Sequence, residues 1–163
     1  MIVVADTSPL NYLVLIGCPD LLFALYGHIL IPSAVARELS APAAPIVVRN
    51  WIGNAPDWLE MKGVPNVDDS LTYLGQGEGE GITLAETLHA DMILIDDLPG
   101  RLEAERRRLA IRGTLGILAE AAGRDLISLK ETLTSLNATN FYAPPALMAR
   151  LLKEDEQRRQ NLK

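Results

Sequence analysis

Two short runs of core-type residues, each ending abruptly in aspartate, constrain this chain more than anything else in it. Ile2-Val3-Val4-Ala5 runs into Asp6-Thr7-Ser8-Pro9, and Met92-Ile93-Leu94-Ile95 runs into Asp96-Asp97. Neither run alternates apolar with polar residues. Continuous apolar runs of this length mark strands covered on both faces, the habit of parallel sheets. His28-Ile29-Leu30-Ile31 reads the same way, Trp58 to Met61 as a short edge strand and Ala110 to Arg112 as a last short one. Helical patterns separate them, at Leu10 to Ile16, Asp20 to Tyr26, Ser33 to Leu39, Ile46 to Ile52, the segment carrying Ile82, Leu84, Ala85 and Leu88, and Gly100 to Leu109. Helices follow near Thr114 to Ala122, Ser128 to Leu136 and Pro145 to Gln157. Strands alternating with helices predict an α/β fold, a mostly parallel central sheet flanked by helices on both faces. Ligands of such sheets bind outside the carboxyl ends of the strands.

A chain of 163 residues, 48% of them hydrophobic, is long enough to bury a core without disulfides. It reads as a single domain over residues 1–156 with a polar tail at 157–163. The net charge of −6 argues against a nonspecific polyanion binder. An enzyme acting on nucleic acid stays possible, because bound cations reverse the field of an acidic site. The aromatic content of 5% is too low for a base-stacking platform. Cys18 is the single cysteine, so no internal disulfide forms and no zinc-type Cys/His spacing exists. A reducing cytoplasm is the expected compartment. No basic segment precedes an apolar run at the start, and no apolar stretch reaches the roughly 18 residues of a membrane span, so neither a secretory signal nor a membrane anchor is expected.

The acids carry the chemistry. Asp6 and the pair Asp96-Asp97 follow strands and so share the carboxyl edge of a parallel sheet. Glu38 lies on the helix after the second strand, and Glu78 opens the helix before the Met92 strand. Carboxylates gathered that closely either take up protons or enclose a cation. An all-oxygen cluster suits Mg²⁺ or Mn²⁺. Such an ion lowers the pKa of water and neutralises charge on a phosphoryl oxygen, so metal-assisted phosphodiester hydrolysis is the matching reaction class. Each acid also has an ordinary reading. Asp6-Thr7-Ser8 and Asp96-Asp97 can be helix caps, Glu38 a solvated helix acid, and Glu78 or Glu80 a partner of the helix dipole.

Several stretches together resemble the PIN domain superfamily, the nuclease fold of VapC-type toxins, and within it the DUF3368 branch. They are Val3 to Leu10; Leu30 to Val35 with Glu38; Gly77-Glu78 with Ile82 and Ala85; Ile93 to Asp97 with Gly100-Arg101; and Gly113 to Leu118. The resemblance implies a Rossmann-like sheet and a Mg²⁺- or Mn²⁺-dependent ribonuclease acting on RNA, an endonuclease with a toxin-like role, an antitoxin protein as partner, and a homodimer. It places the catalytic and metal-binding acids at Asp6, Glu38, Glu78 and Asp96, with Asp97 as the alternative to the last. Thr7 or Ser8 would orient Asp6. Glu stands at Glu78 where the superfamily usually has Asp, and Glu80 competes with it: two residues on, it lies roughly 200° around the helix, so only one of them points inward.

Arg101 is a candidate for holding RNA phosphates, and Thr114 for contacting a phosphate or capping its helix. Arg106, Arg107 and Arg108 read as a solvated face salt-bridged to Glu103 and Glu105. His28, His89 and Cys18 read as structural. Gly75 to Gly81 lacks the Lys-Ser/Thr ending of a phosphate-binding loop; its glycines either permit a close approach of backbone or leave the helix start loose. The competing function is a catalytically silent PIN-fold module that binds RNA or protein. A phosphate-accepting Asp6 or Asp96 is a third reading, weakened because Ser8 stands where a dehalogenase-type phosphotransferase carries a second aspartate.

Overall fold

The computed structural model describes residues 1–163, which form two compact units, 1–114 and 115–163. The first holds a sheet of five strands, β1 (Val3–Ala5), β2 (Ile29–Pro32), β3 (Leu59–Lys62), β4 (Met92–Leu94) and β5 (Ile111–Arg112). Their spatial order is β3-β2-β1-β4-β5, and every neighbouring pair is parallel. Its helices are α1 (Thr7–Leu15), α2 (Leu21–Tyr26), α3 (Ser33–Ser40), α4 (Ile46–Gly53), α5 (Gln76–Thr87) and α6 (Leu98–Arg106).

The apolar runs behave as their composition requires. Val3, Val4, Ala5, Ile29, Ile31, Ile93 and Leu94 are at most 1% exposed. Side chains alternate across a strand. Val4, Leu30, Ile93 and Ile95 therefore share one face, packed with Ile82, Leu84 and Ala85 of α5 and Ala104 of α6. Val3, Ala5, Ile29, Ile31 and Leu94 point to the other. From β1 the chain winds outward through β2 to β3, then returns past β1 to β4 and β5. The direction of winding reverses between β1 and β4, and that crevice is where an open α/β sheet receives ligands.

Differences from the sequence reading are local. Between β3 and α5, where no element was expected, the chain forms a short 3₁₀ turn at Asp69–Leu71, in which the Asp68 carboxylate accepts the Ser70 N–H at 2.9 Å and Leu71 is buried. α5 begins at Gln76 and runs through Gly77, Gly79 and Gly81. Glycine disfavours a helix by about 1 kcal/mol against alanine, so packing holds this turn rather than propensity.

The second unit contains α7 after its first residue (Thr114–Gly123 in full), α8 (Leu129–Asn137) and α9 (Pro145–Asn161). The Ser128 hydroxyl caps α8 by accepting the Glu131 N–H. Arg158 donates to the Ala122 carbonyl at 2.7 Å and pairs with Asp155 on its own helix. α9 continues to Asn161, beyond the Gln157 end expected from the polar composition. No helix in the protein is long and apolar enough to cross a membrane.

Candidate active site

Asp6 is the first residue after β1. Its N–H donates to the Leu94 carbonyl at 2.9 Å, which extends the β1–β4 ladder by one bond and sets Asp6 in the crevice. The residue is only 4% exposed. Burial raises its carboxyl from 3.8 to about 7; the Thr7 N–H pulls it down, and the charges of Glu38, Asp97 and Asp96 push it up again.

Glu38 reaches the same crevice from α3. One oxygen accepts the Gly77 N–H at 3.1 Å, and the other accepts the Thr7 hydroxyl. A Cβ on residue 77 would stand 2.8 Å from the first oxygen, so glycine gives Glu38 the room to lie where it does against the start of α5. Of the two roles open to the Gly-rich stretch, close approach is the one used at Gly77. Thr7 also departs from expectation, since its hydroxyl orients Glu38 rather than Asp6.

Glu78 and Asp97 complete the acidic wall. Burial, a hydrogen bond with Asp97, and the charges of Asp6, Asp97 and Glu38 lift Glu78 from 4.5 to about 8. Two carboxyl groups share a hydrogen bond only when one of them holds a proton, so this pair retains a proton while the bond persists. Asp6, Glu38, Glu78 and Asp97 line a cavity of 230 Å³, whose remaining walls come from Thr7, Ser8, Asn11, Tyr12 and Gly75.

Asp96 does not line this cavity. Its two oxygens accept the N–H and the hydroxyl of Thr114, each at 2.7 Å. Burial raises its carboxyl, while both Thr114 bonds and the Arg101 charge hold it down. A Cβ at Gly113 would stand 2.6 Å from the Arg101 guanidinium and 2.8 Å from Asp96. Glycine at 113 thus leaves room for Arg101 beside Asp96. Of the pair after β4, Asp97 faces the cavity, and Asp96 ties the strand end to the start of α7. Thr114 serves as the partner of Asp96, and Arg101 flanks that pair outside the cavity lining.

Glu80 points away from the cavity. It is 6% exposed, accepts the Ala34 N–H of α3 at 3.1 Å and meets Arg37 at 3.4 Å. Of the two glutamates, Glu78 is the one that lines the cavity. Arg107 is also unlike its expected solvated state. Its side chain is 11% exposed and bonds Asp68, Ser70, Glu86 and Glu103 at 2.6–3.0 Å, clamping the segment before α5 to α5 and α6.

Asn11 and Tyr12 are cavity residues absent from the sequence reading. Their spacing of three and four from Ser8 on α1 was the available signal, because helical residues so spaced share a face. Burial and the charges of Asp96 and Asp97 raise the Tyr12 phenol.

The donor set is carboxylate oxygen throughout, which fits a hard divalent cation. As the side chains lie, no three Asp, Glu, His or Cys groups are arranged to grip a single ion. Glu38 is turned onto Thr7 and Gly77, and Glu78 onto Asp97.

An all-parallel sheet that reverses its winding beside a wall of four acids defines an α/β protein with an acidic cavity at the carboxyl edge of its strands. Comparison gives the family: the chain belongs to DUF3368, a PIN domain family, which matches residues 2–157. PIN domains are generally nucleases. A PilT N-terminus domain protein of the archaeon Sulfolobus solfataricus P2 shares the fold, at a TM-score of 0.51 and 14% identity, over 88% of this chain and 100% of its own. No curated protein matches the sequence.

Proposed function

We propose that this protein is a divalent-metal-dependent ribonuclease that hydrolyses RNA phosphodiesters, with Mg²⁺ or Mn²⁺ as cofactor. The observation that carries this reading is the meeting of Asp6, Glu38, Glu78 and Asp97 around one cavity at the reversal point of the sheet. Membership of a family that is generally nucleolytic supports it.

A bound cation would supply Lewis-acid activation of water and neutralise charge at the phosphoryl group. Asp6, fixed by β1 and β4, would be the least mobile ligand. Glu38, Glu78 and Asp97, which line the same cavity, would complete the oxygen set. Asp6 and Glu78, whose carboxyls burial raises, would have to give up protons to hold a cation. Ser8, Asn11 and Tyr12 offer the polar wall against which a sugar-phosphate strand would lie. In the reaction, a water oxygen bonds to phosphorus, the ribose oxygen leaves, and the protons pass to the leaving oxygen and to solvent.

The competing reading, a silent binding module, draws on one observation: the oxygens of Glu38 and Asp96 already have protein donors. The deciding experiment is RNA cleavage with Mn²⁺ or Mg²⁺, with chelator, and with Asp6→Asn. Cleavage that needs the metal and vanishes in the variant is the expected result. RNA retention without cleavage in every condition would favour the silent module. A toxin role, an antitoxin partner and a homodimer extend the proposal; growth arrest on expression, relieved by a co-expressed neighbouring protein, tests the first two, and sedimentation tests the third.

A further inference from the structure

Two helices carry the glutamates of the proposed site, and neither caps its own start. α3 follows Pro32 and α5 follows Gly75, and neither makes a side-chain cap bond. Each instead receives a carboxylate from the other. Glu80 of α5 accepts the N–H of Ala34, the second residue of α3, at 3.1 Å. Glu38 of α3 accepts the N–H of Gly77, the second residue of α5, at 3.1 Å. The exchange satisfies an orphan amide at each helix start and sets a negative charge at each positive helix end. Glu80 is buried, and Arg37, the residue before Glu38, reaches its second oxygen at 3.4 Å.

We propose that Glu80 is a positioning residue for the site: by capping α3 it fixes the approach of α3 to α5 and thereby aims Glu38 over Gly77 and Thr7 into the cavity. This deepens the ribonuclease reading and rests on it. Glu80 touches neither cavity nor substrate. Its influence passes through the placement of Glu38, whose two oxygens meet the Thr7 hydroxyl and the Gly77 amide at the mouth of the cavity.

The test compares Glu80→Ala and Glu80→Gln in the wild-type and Glu38→Gln backgrounds. Mn²⁺ affinity is measured by calorimetry at a temperature where urea unfolding shows every variant folded. Loss of an outer-shell partner typically weakens a metal site by roughly 10–100-fold. Glu80→Ala is expected to lower Mn²⁺ affinity within that range, and Glu80→Gln, which keeps an acceptor for the Ala34 N–H, to recover most of it. In the Glu38→Gln background, Glu80→Ala should cause no further loss, since residues acting through one another are not additive. An equal loss in both backgrounds would show general loosening and overturn the proposal, as would unchanged affinity in Glu80→Ala. Amide hydrogen exchange at Gly77 gives a readout free of metal: Glu80→Ala should speed it while Glu80→Gln leaves it slow. If wild type takes up no Mn²⁺, the metal reading fails while exchange still decides the positioning role. If Glu80→Ala does not fold, Glu80→Asp, one methylene too short to hold the Ala34 N–H in place, carries the test: faster Gly77 exchange and weaker Mn²⁺ binding are expected, and unchanged values overturn the proposal.

Discussion

Replacing Asp6 by asparagine should make the metal-free protein more stable while removing its metal response. Asp6 is 4% exposed, and its carboxyl is raised from 3.8 to about 7, chiefly by burial. A raised acid means that the folded state holds a proton the unfolded chain gives up. Stability from this group is therefore full below pH 3.8 and is lost as pH rises through about 7. The shift is about 3 pKa units, and each unit corresponds to about 1.4 kcal/mol, so the ionised side chain costs on the order of 4 kcal/mol at pH 8. Asparagine keeps the shape and an oxygen for the Thr7 N–H but carries no charge. Urea unfolding with chelator at pH 8 should show Asp6→Asn more stable than wild type by about 2–4 kcal/mol, the lower figure allowing for relaxation around the charge. At pH 5 the advantage should shrink by roughly 2–3 kcal/mol, since only about one unit of the shift is then expressed. With Mn²⁺ near a hundred times its dissociation constant, wild type should gain about 2.7 kcal/mol and the variant nothing. An Asp6→Asn protein no more stable than wild type at pH 8 in chelator would refute the claim that this carboxylate is held against its preference for water.

Three further outcomes follow from the same geometry. Mn²⁺ affinity should rise steeply between pH 6 and pH 8, because Asp6 and Glu78, raised to about 7 and about 8, must lose protons to accept a cation; calorimetry across that range in buffers of different ionisation heat should show proton release, and pH-independent affinity would contradict it. Gly77→Ala places a Cβ 2.8 Å from the Glu38 carboxylate; the helix gains about 1 kcal/mol of propensity, so stability should change by less than about 1 kcal/mol while metal-dependent cleavage falls at least tenfold. Thr114→Val removes the hydroxyl partner of Asp96 while keeping the backbone bond; chemical denaturation should show a loss of about 1–3 kcal/mol, as expected when a buried acceptor is left short of a donor.

The strands and their order of use were legible from the chain because burial leaves a plain mark on sequence. A strand covered on both faces must be apolar at every position, so Ile2 to Ala5, Ile29 to Ile31 and Met92 to Ile95 announced themselves. The residue that follows such a strand must stand at the sheet edge, which placed Asp6 and the Asp96-Asp97 pair on one edge. Glu38 and Glu78 were candidates from their places on the helices that flank those strands, but a lone helix acid carries no such mark, and the resemblance was what singled them out.

Sequence by itself therefore determined the parallel sheet, the helices between its strands and the edge at which the acids gather. Tertiary structure alone decided which acid of each pair faces inward. Asp97 rather than Asp96 lines the cavity because Thr114, eighteen residues further along, claims both oxygens of Asp96. Glu78 rather than Glu80 does so because the bare amide of Ala34 takes Glu80 into the α3–α5 contact. Neighbouring acids have the same chemistry, and what separates them is the donor that each meets across the fold. That donor comes from a distant part of the chain, where local pattern carries no information about it.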